Sequence, residues 1–223
     1  MTDSQLERLA ELDACAVSDA MDRLGRPAVA LGLRALSGAG RIVGRAVTVQ
    51  LGPANGRTSA RHLCTSAVEA AGPGQIIVVA HNGREDVAGW GGILSLAAWT
   101  RGLEGVVIDG ACRDIDESRE MGLPVYARAA VPVTARTRVV EVDWNVPVQI
   151  SGVTVAPDDL VIADGSGVVV IPAELAEGAL AAAEKIVAKE RRMAEDVLAG
   201  RPVGQVMGAD YESMLAETLE APR

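Results

Sequence analysis

The chain has 223 residues, 49% of them hydrophobic, with 2% aromatic residues, no Phe and a formal net charge of −9. A core without Phe must come from Val, Leu, Ile and Ala, which suits parallel or mixed β-sheet under helices and needs no disulfide. The acidic balance, the scarcity of aromatics and the lack of any Lys/Arg run argue against nucleic acid, and no apolar run is long enough to span a membrane.

The opening Met1-Thr2-Asp3-Ser4-Gln5 lacks the basic-then-apolar order of a secretory leader, so a cytoplasmic protein is expected. Cys15, Cys64 and Cys112 are odd in number and show no C-x-x-C spacing, as free thiols would. Residues 4–25 read as two short helices: Leu6, Leu9 and Leu12 recur at helical spacing, and Ser18 is a candidate cap for the second. Ile42, Val43, Val47, Val49 and Leu51 mark a strand.

The centre is the clearest part. Residues 59–71 read as helix, 76–80 as a buried strand and 81–89 as a polar loop. A helix over 92–101, a strand over 105–109, a helix over 114–121 and a strand over 124–127 follow. Such β-loop-α-β-loop-α-β order implies right-handed crossovers and parallel strands. Ligands on these sheets bind beyond the carboxyl ends of the strands. The 81–92 and 110–114 loops both lie there. From 131 to 171 the chain is β-rich and broken by turn sequences, which predicts hairpins. Residues 172–199 then read as one long helix, Pro172 in its first turn, with a charged second half from Lys189 to Asp196. No linker, repeat or low-complexity block divides residues 1–223, so one domain is expected.

Two motifs stand at the proposed ligand edge. Gly91-Gly92-Ile93-Leu94 opens a helix with bare backbone N–H groups, a setting suited to an anion. Asp109-Gly110-Ala111-Cys112-Arg113-Asp114 follows the next strand, with Glu117 one helical turn later. Arg113 offers a planar, permanently charged fork, and Asp114 a hard oxygen ligand for a divalent cation. Each feature has a plainer reading: a tight turn for the glycines, a salt bridge to Asp109 or Asp116 for Arg113, a helix cap for Asp114 and a first-turn acid for Glu117. Cys112 reads as packing, His81 as an exposed loop residue or a pocket-lining one, and Asp19 with Asp22 as a solvated face. Glu190 and Glu195 are candidate acids for a neighbouring subunit's site. No catalytic triad, P-loop or complete dinucleotide fingerprint is present.

These motifs, with Val17 to Gly25 and Gly165-Ser166-Gly167-Val168-Val169, resemble the family of the 4-hydroxy-4-methyl-2-oxoglutarate aldolases and the regulator of ribonuclease E activity A. The resemblance implies an α/β fold of the α/β/β swivelling type: a central mixed, partly parallel sheet, flanking helices and a long C-terminal helix. It also implies a homo-oligomer, trimer or hexamer, with sites between subunits and the C-terminal helix at the interface. The implied activity is a class II-type lyase that uses Mg²⁺ or Mn²⁺ on a small 2-oxo acid and decarboxylates oxaloacetate through the same pyruvate enolate. On that resemblance the amides of Gly91, Gly92, Ile93 and Leu94 bind the substrate carboxylate and Arg113 contacts the keto or enolate oxygen. Asp114 would hold the metal and Glu117 would orient its water. Where the family often has Gly-Asp-Asn, this chain has Pro53-Ala54-Asn55-Gly56, so the acid is missing and a different substrate is implied. Two rival readings stay open: a non-catalytic regulator that binds a protein, and an isomerase or hydratase working through the same enolate.

Overall fold

The computed structural model describes residues 3–38, 40–57 and 61–208. The first two residues, read for a leader, and Ser59, the expected start of a helix, lie outside these. Helices α1 (Ser4–Ala10) and α2 (Ala14–Arg23) come first. Ser18 does not cap α2. Asp13 does, in extended conformation, its carboxylate accepting from Ala16 N–H at 2.8 Å. Strands β1 (Arg34–Ser37) and β2 (Ile42–Pro53) precede α3 (Thr65–Ala70), which is shorter than the expected helix over 59–71. The central run is β3 (Gln75–Ala88), α4 (Gly92–Thr100), β4 (Gly105–Cys112), α5 (Ile115–Met121) and β5 (Val125–Ala130).

The β-rich region resolves into β6 (Val139–Trp144), a small hairpin of β7 (Val148–Ile150) and β8 (Val153–Val155), and a second hairpin of β9 (Leu160–Asp164) and β10 (Gly167–Ile171). The helix expected over 172–199 starts late. Pro172 leads into a 3₁₀ turn over Ala173–Leu175, where Ala173 N–H donates to Asp159 Oδ1 at 2.9 Å. Helix α6 then runs over Ala176–Leu198, and a short α7 covers Val203–Val206.

Strands β2 to β5 pair in parallel, as the crossovers require: Val47 lies against Ile77, Val79 against Ile108 and Val107 against Tyr126. Antiparallel strands β1, β6, β9 and β10 complete a mixed eight-stranded sheet among the described residues. Strand β4 is buried throughout, and its alternation builds three layers. Val106 and Ile108 pack with Ala67 of α3 and Ala98 of α4, while Val107 packs with Val148, Ile150 and Val155 of the small hairpin. Full burial of each such Val or Ile contributes about 1.5–3 kcal/mol. A separate cluster seats α1, α2 and the first half of α6 on β9 and β10.

The 81–89 stretch is not a loop. β3 continues through it, with Arg84 and Ala88 in register with Gly110 and Ala111 of β4. His81 is therefore buried, and its Nε2 lies 2.9 Å from Val87 C=O.

Candidate active site

Two connections meet at the carboxyl ends of the parallel strands: one enters α4 after β3, the other enters α5 after β4. Backbone bonds lock them together. Arg113 N–H donates to Trp90 C=O at 3.0 Å and Gly89 N–H to Ala111 C=O at 2.8 Å. Below them, Trp90 Nε1–H donates to Ser95 Oγ at 2.9 Å, and Ser95 Oγ lies 2.8 Å from Ser118 Oγ. All three side chains are buried, so each hydroxyl depends on the others for satisfaction. This contact fixes α4 against α5. Sequence reading passed over both serines. The available signal was their spacing, each four residues after a site residue, Gly91 and Asp114.

Asp114 precedes α5 in the left-handed region, with φ of 56°, and its side chain does not cap that helix. The carboxylate crosses to α4 instead. Oδ2 accepts from Gly92 N–H at 3.1 Å, and both oxygens accept from Arg113 Nε at 3.1 Å. A non-glycine residue in this backbone region costs on the order of 1 kcal/mol, so Asp114 is held there by its surroundings. The helix-cap reading is overturned. The expected partners of Arg113 are engaged elsewhere: Asp109 pairs with Arg128 at 2.6 Å and Asp116 with Arg119 at 2.7 Å. Arg113 spends only Nε on Asp114, and its two terminal amino groups make no hydrogen bond among the described residues.

The glycines leave room for two carboxylates. A Cβ on Gly91 would stand 3.0 Å from Asp114 Oδ2, and one on Gly92 only 1.8 Å from Glu117 Oε2. Glu117 thus folds back against the start of α4, beside Asp114. Among the described residues the Gly92 amide is taken by Asp114, while the amides of Ile93 and Leu94 meet no protein acceptor. A cleft of about 660 Å³ opens here, bounded by Gly91 to Leu94, Arg113 and Asp114 on one side and by His62 and Arg136 on another. A second hollow of about 410 Å³ adjoins Arg113, Asp114 and Glu117.

No group of three or more His, Cys, Asp or Glu gathers in a metal-holding arrangement among the described residues. Asp114 and Glu117 are two carboxylates converging beside Gly92. That donor set suits Mg²⁺ or Mn²⁺, which bind through one or two carboxylates and complete their shell with water and substrate oxygens.

The other residues singled out have varied settings in this chain. His81 belongs to the core, where burial pushes its pKa below the usual histidine value. His62 does line the cleft, although it precedes α3 and is not part of a helix. Cys64 and Cys112 are buried free thiols; burial pushes Cys64 well up and Cys112 to about 11, which leaves both inert. Asp22 is exposed as expected, while Asp19 is half-buried and its pKa is raised by that burial. Glu190 is raised by burial and by the nearby Asp13 and Asp19 of its own chain, and Glu195 is exposed. Sequence reading also missed the link from Arg128 to Asp109, whose Oδ2 accepts from Ser151 N–H at 2.9 Å. It ties β4 and β5 to the small hairpin, and nothing local in the sequence announces it.

A family model described as RraA-like, Aldolase/RraA, matches residues 14–170. The chain belongs to the RraA-like family. The match covers every residue of the cleft and excludes α6. Over 140 residues this RraA-like chain is 34% identical to the 4-hydroxy-4-methyl-2-oxoglutarate aldolase of Thermus thermophilus, covering 62% of the chain and 80% of that protein. It is 31% identical over 167 residues, or 75% of its own length, to Protein DlpA of Legionella pneumophila, yet spans only 27% of that protein. Among solved structures it is similar to Streptomyces coelicolor RraAS2, described as an unusual member of the RNase ES inhibitor RraA protein family. The TM-score is 0.78 at 26% identity, covering 86% of this chain and 96% of that one.

Proposed function

We propose that the protein is a divalent-metal-dependent lyase that cleaves the bond next to a pyruvate unit in a 4-hydroxy-2-oxo acid, and that it also decarboxylates oxaloacetate. The observation carrying this reading is the convergence of free first-turn amides, an open guanidinium edge and the Asp114 carboxylate on one cleft, with Glu117 beside Asp114 in the adjoining hollow. The amides of Ile93 and Leu94 would receive the substrate carboxylate at the positive end of α4. The terminal amino groups of Arg113 would donate to the C2 oxygen.

When C3–C4 breaks, its electron pair moves onto the pyruvate unit and charge grows on that oxygen. The group departs as a carbonyl compound, its C4 hydroxyl proton passing to water in the cleft, or as carbon dioxide from oxaloacetate. A hydrogen bond from Arg113 that strengthens as charge develops lowers the barrier. The enolate then takes a proton at C3 from water in the cleft. Asp114, held by Arg113 and Gly92, and Glu117 beside it would hold Mg²⁺ or Mn²⁺, which when bound supplies Lewis-acid stabilisation of the same oxygen.

The test is pyruvate formation from oxaloacetate, together with exchange of the C3 protons of pyruvate in D₂O. Chelation should abolish both, Mg²⁺ or Mn²⁺ should restore both, and Asp114→Asn should cripple both with the fold retained. Full activity after exhaustive chelation would sink the metal reading. A partner-binding role draws support from another feature: Ile93, Leu96 and Trp99 form an exposed apolar stripe on α4, Ile93 being 80% exposed. Purified protein with no metal-dependent turnover would favour that role. The same proposal takes a homo-oligomer as the working unit, supported by Leu198 and Val203, left exposed where α6 has passed the core. A monomer in sedimentation at assay concentration would count against it.

A further inference from the structure

We infer that His62 is the general base of the carbon–carbon cleavage, the group that takes up the C4 hydroxyl proton by way of the cleft water. This inference rests on the proposed function for the enolate chemistry, and on separate observations for the base. Cleavage must remove that proton as C4 becomes a carbonyl carbon, whereas loss of carbon dioxide from oxaloacetate removes none. Among the described residues the ionisable groups lining the cleft are His62, Arg113, Asp114 and Arg136. Arginine stays protonated in proteins and accepts nothing. Asp114 is engaged by the Gly92 amide and by Arg113. His62 is left, and imidazole is the side chain most often used to move a proton near neutral pH.

The surroundings of His62 fit the role. The residue is exposed on the cleft wall, and its ring makes no hydrogen bond among the described residues. A substrate whose carboxylate meets the Ile93 and Leu94 amides, and whose C2 oxygen meets Arg113, leaves its C4 end to the rest of the 660 Å³ cleft, which His62 borders. The backbone that presents the ring is fixed. Thr65 Oγ1–H donates to His62 C=O at 2.7 Å. Cys64 takes the left-handed conformation, with φ of 64°, uncommon for a residue other than glycine. It is held from two sides: its N–H donates to Glu141 of β6 at 2.5 Å, and its thiol lies 3.9 Å from Gly89 C=O. The His62 wall is thereby tied to the connection that carries Gly91 and Gly92. Residues 53–65 contain no carboxylate, so nothing acidic on this segment competes for the proton. Glu141 stands close by: burial raises its pKa, while the bond from Cys64 N–H and the charges of Arg61 and His62 oppose the rise. An ionised Glu141 favours the imidazolium that forms when His62 takes the proton.

The step balances without a co-reactant. The O–H electron pair becomes the second C–O bond of the departing carbonyl compound, and the C3–C4 pair becomes the enolate. The proton rests on His62 until water removes it, and the enolate takes its own C3 proton from water, so none is consumed.

The experiment measures pyruvate release from 4-hydroxy-4-methyl-2-oxoglutarate and from oxaloacetate, with Mg²⁺ present, by wild type, His62→Gln and His62→Ala. His62→Gln should lower kcat for the hydroxy acid by about 10²-fold or more, the scale of general base catalysis, with a smaller change in KM. Decarboxylation asks nothing of a base and should fall far less. Added imidazole should restore part of the lost cleavage in His62→Ala and do nothing for its decarboxylation, a response that a merely structural role would not give. His62 is exposed, so unchanged thermal unfolding serves as the folding check.

Undiminished cleavage in His62→Gln, both reactions reduced by the same factor, or cleavage by His62→Ala that imidazole does not raise would each overturn the assignment. So would a wild type that decarboxylates oxaloacetate and leaves the hydroxy acid intact. Failure of the proposed function looks different. Wild type would then release pyruvate from neither substrate and exchange no C3 protons, which removes the enolate chemistry and the part of His62 with it.

Discussion

Gly92→Ala tests whether the position of the Glu117 carboxylate matters. The added Cβ would stand 1.8 Å from Glu117 Oε2, 2.7 Å from its Cδ and 3.2 Å from Asp114 Cβ. Non-bonded contact distances are about 3.5 Å, so the carboxylate must retreat by roughly 1.5 Å or more. Glu117 is exposed and can leave by changing rotamer, a small cost. The backbone loses nothing, because Gly92 is helical and Ala is the better helix former by up to ~1 kcal/mol. Thermal unfolding should therefore stay level or rise slightly. Turnover should not. A displaced carboxylate that orients bound water typically costs about 10- to 100-fold, and that is the expected fall in Mg²⁺-dependent pyruvate release from oxaloacetate. A double-mutant cycle isolates the cause. Glu117→Ala removes that clash along with the group and leaves only the 3.2 Å contact with Asp114 Cβ, which a shift of a few tenths of an ångström relieves, so Gly92→Ala with Glu117→Ala should lie close to Glu117→Ala alone. Wild-type turnover in Gly92→Ala, or losses that multiply in the double variant, would refute the argument.

Arg113→Lys keeps the charge and loses the fork; kcat should fall by about 10²-fold or more, with a smaller change in KM, and equal kcat would make Arg113 structural. His81 has a folded pKa below its unfolded value of about 6.5 because burial disfavours the cation. As pH falls below about 6.5 the unfolded chain binds a proton that the folded chain refuses, so stability drops until the folded pKa is passed. Chemical unfolding followed from about pH 7.5 downward should show that decline in wild type and a shallower one in His81→Gln, with parallel curves counting against it. Thiol titration should label Cys15 alone at first, since it is exposed while Cys64 and Cys112 are buried, and all three after unfolding; fast modification of Cys112 in the native protein would contradict its raised pKa.

The sequence by itself determined the parts that depend on local pattern. The start of the strand at 76–80, the helix opened by Gly91 and Gly92, the buried strand at 105–109 and the short helix before Gly122 all stand in the structure within a few residues of expectation. Periodicity and turn chemistry are properties of neighbours along the chain, and they suffice for a βαβ unit whose crossover hand is fixed. That unit places Gly92 and Asp114 at one sheet edge with no further information.

What lies beyond a neighbour's reach only the tertiary structure decided. Residues 81–88 look polar and loop-like, yet they form strand because Gly110 and Ala111, more than twenty residues on, offer a ladder to pair with. Asp114 sits where a cap belongs, but its carboxylate turns to Gly92 and Arg113, a choice made by the approach of two helices pinned through Ser95 and Ser118. The cleft needs walls from residues 62–63 and 132–136, and Arg128 meets Asp109 only because β5 lies beside β4. Local pattern selects the elements. Where a buried carboxylate finds its donor, and where a cavity opens, is set by packing between segments far apart in sequence.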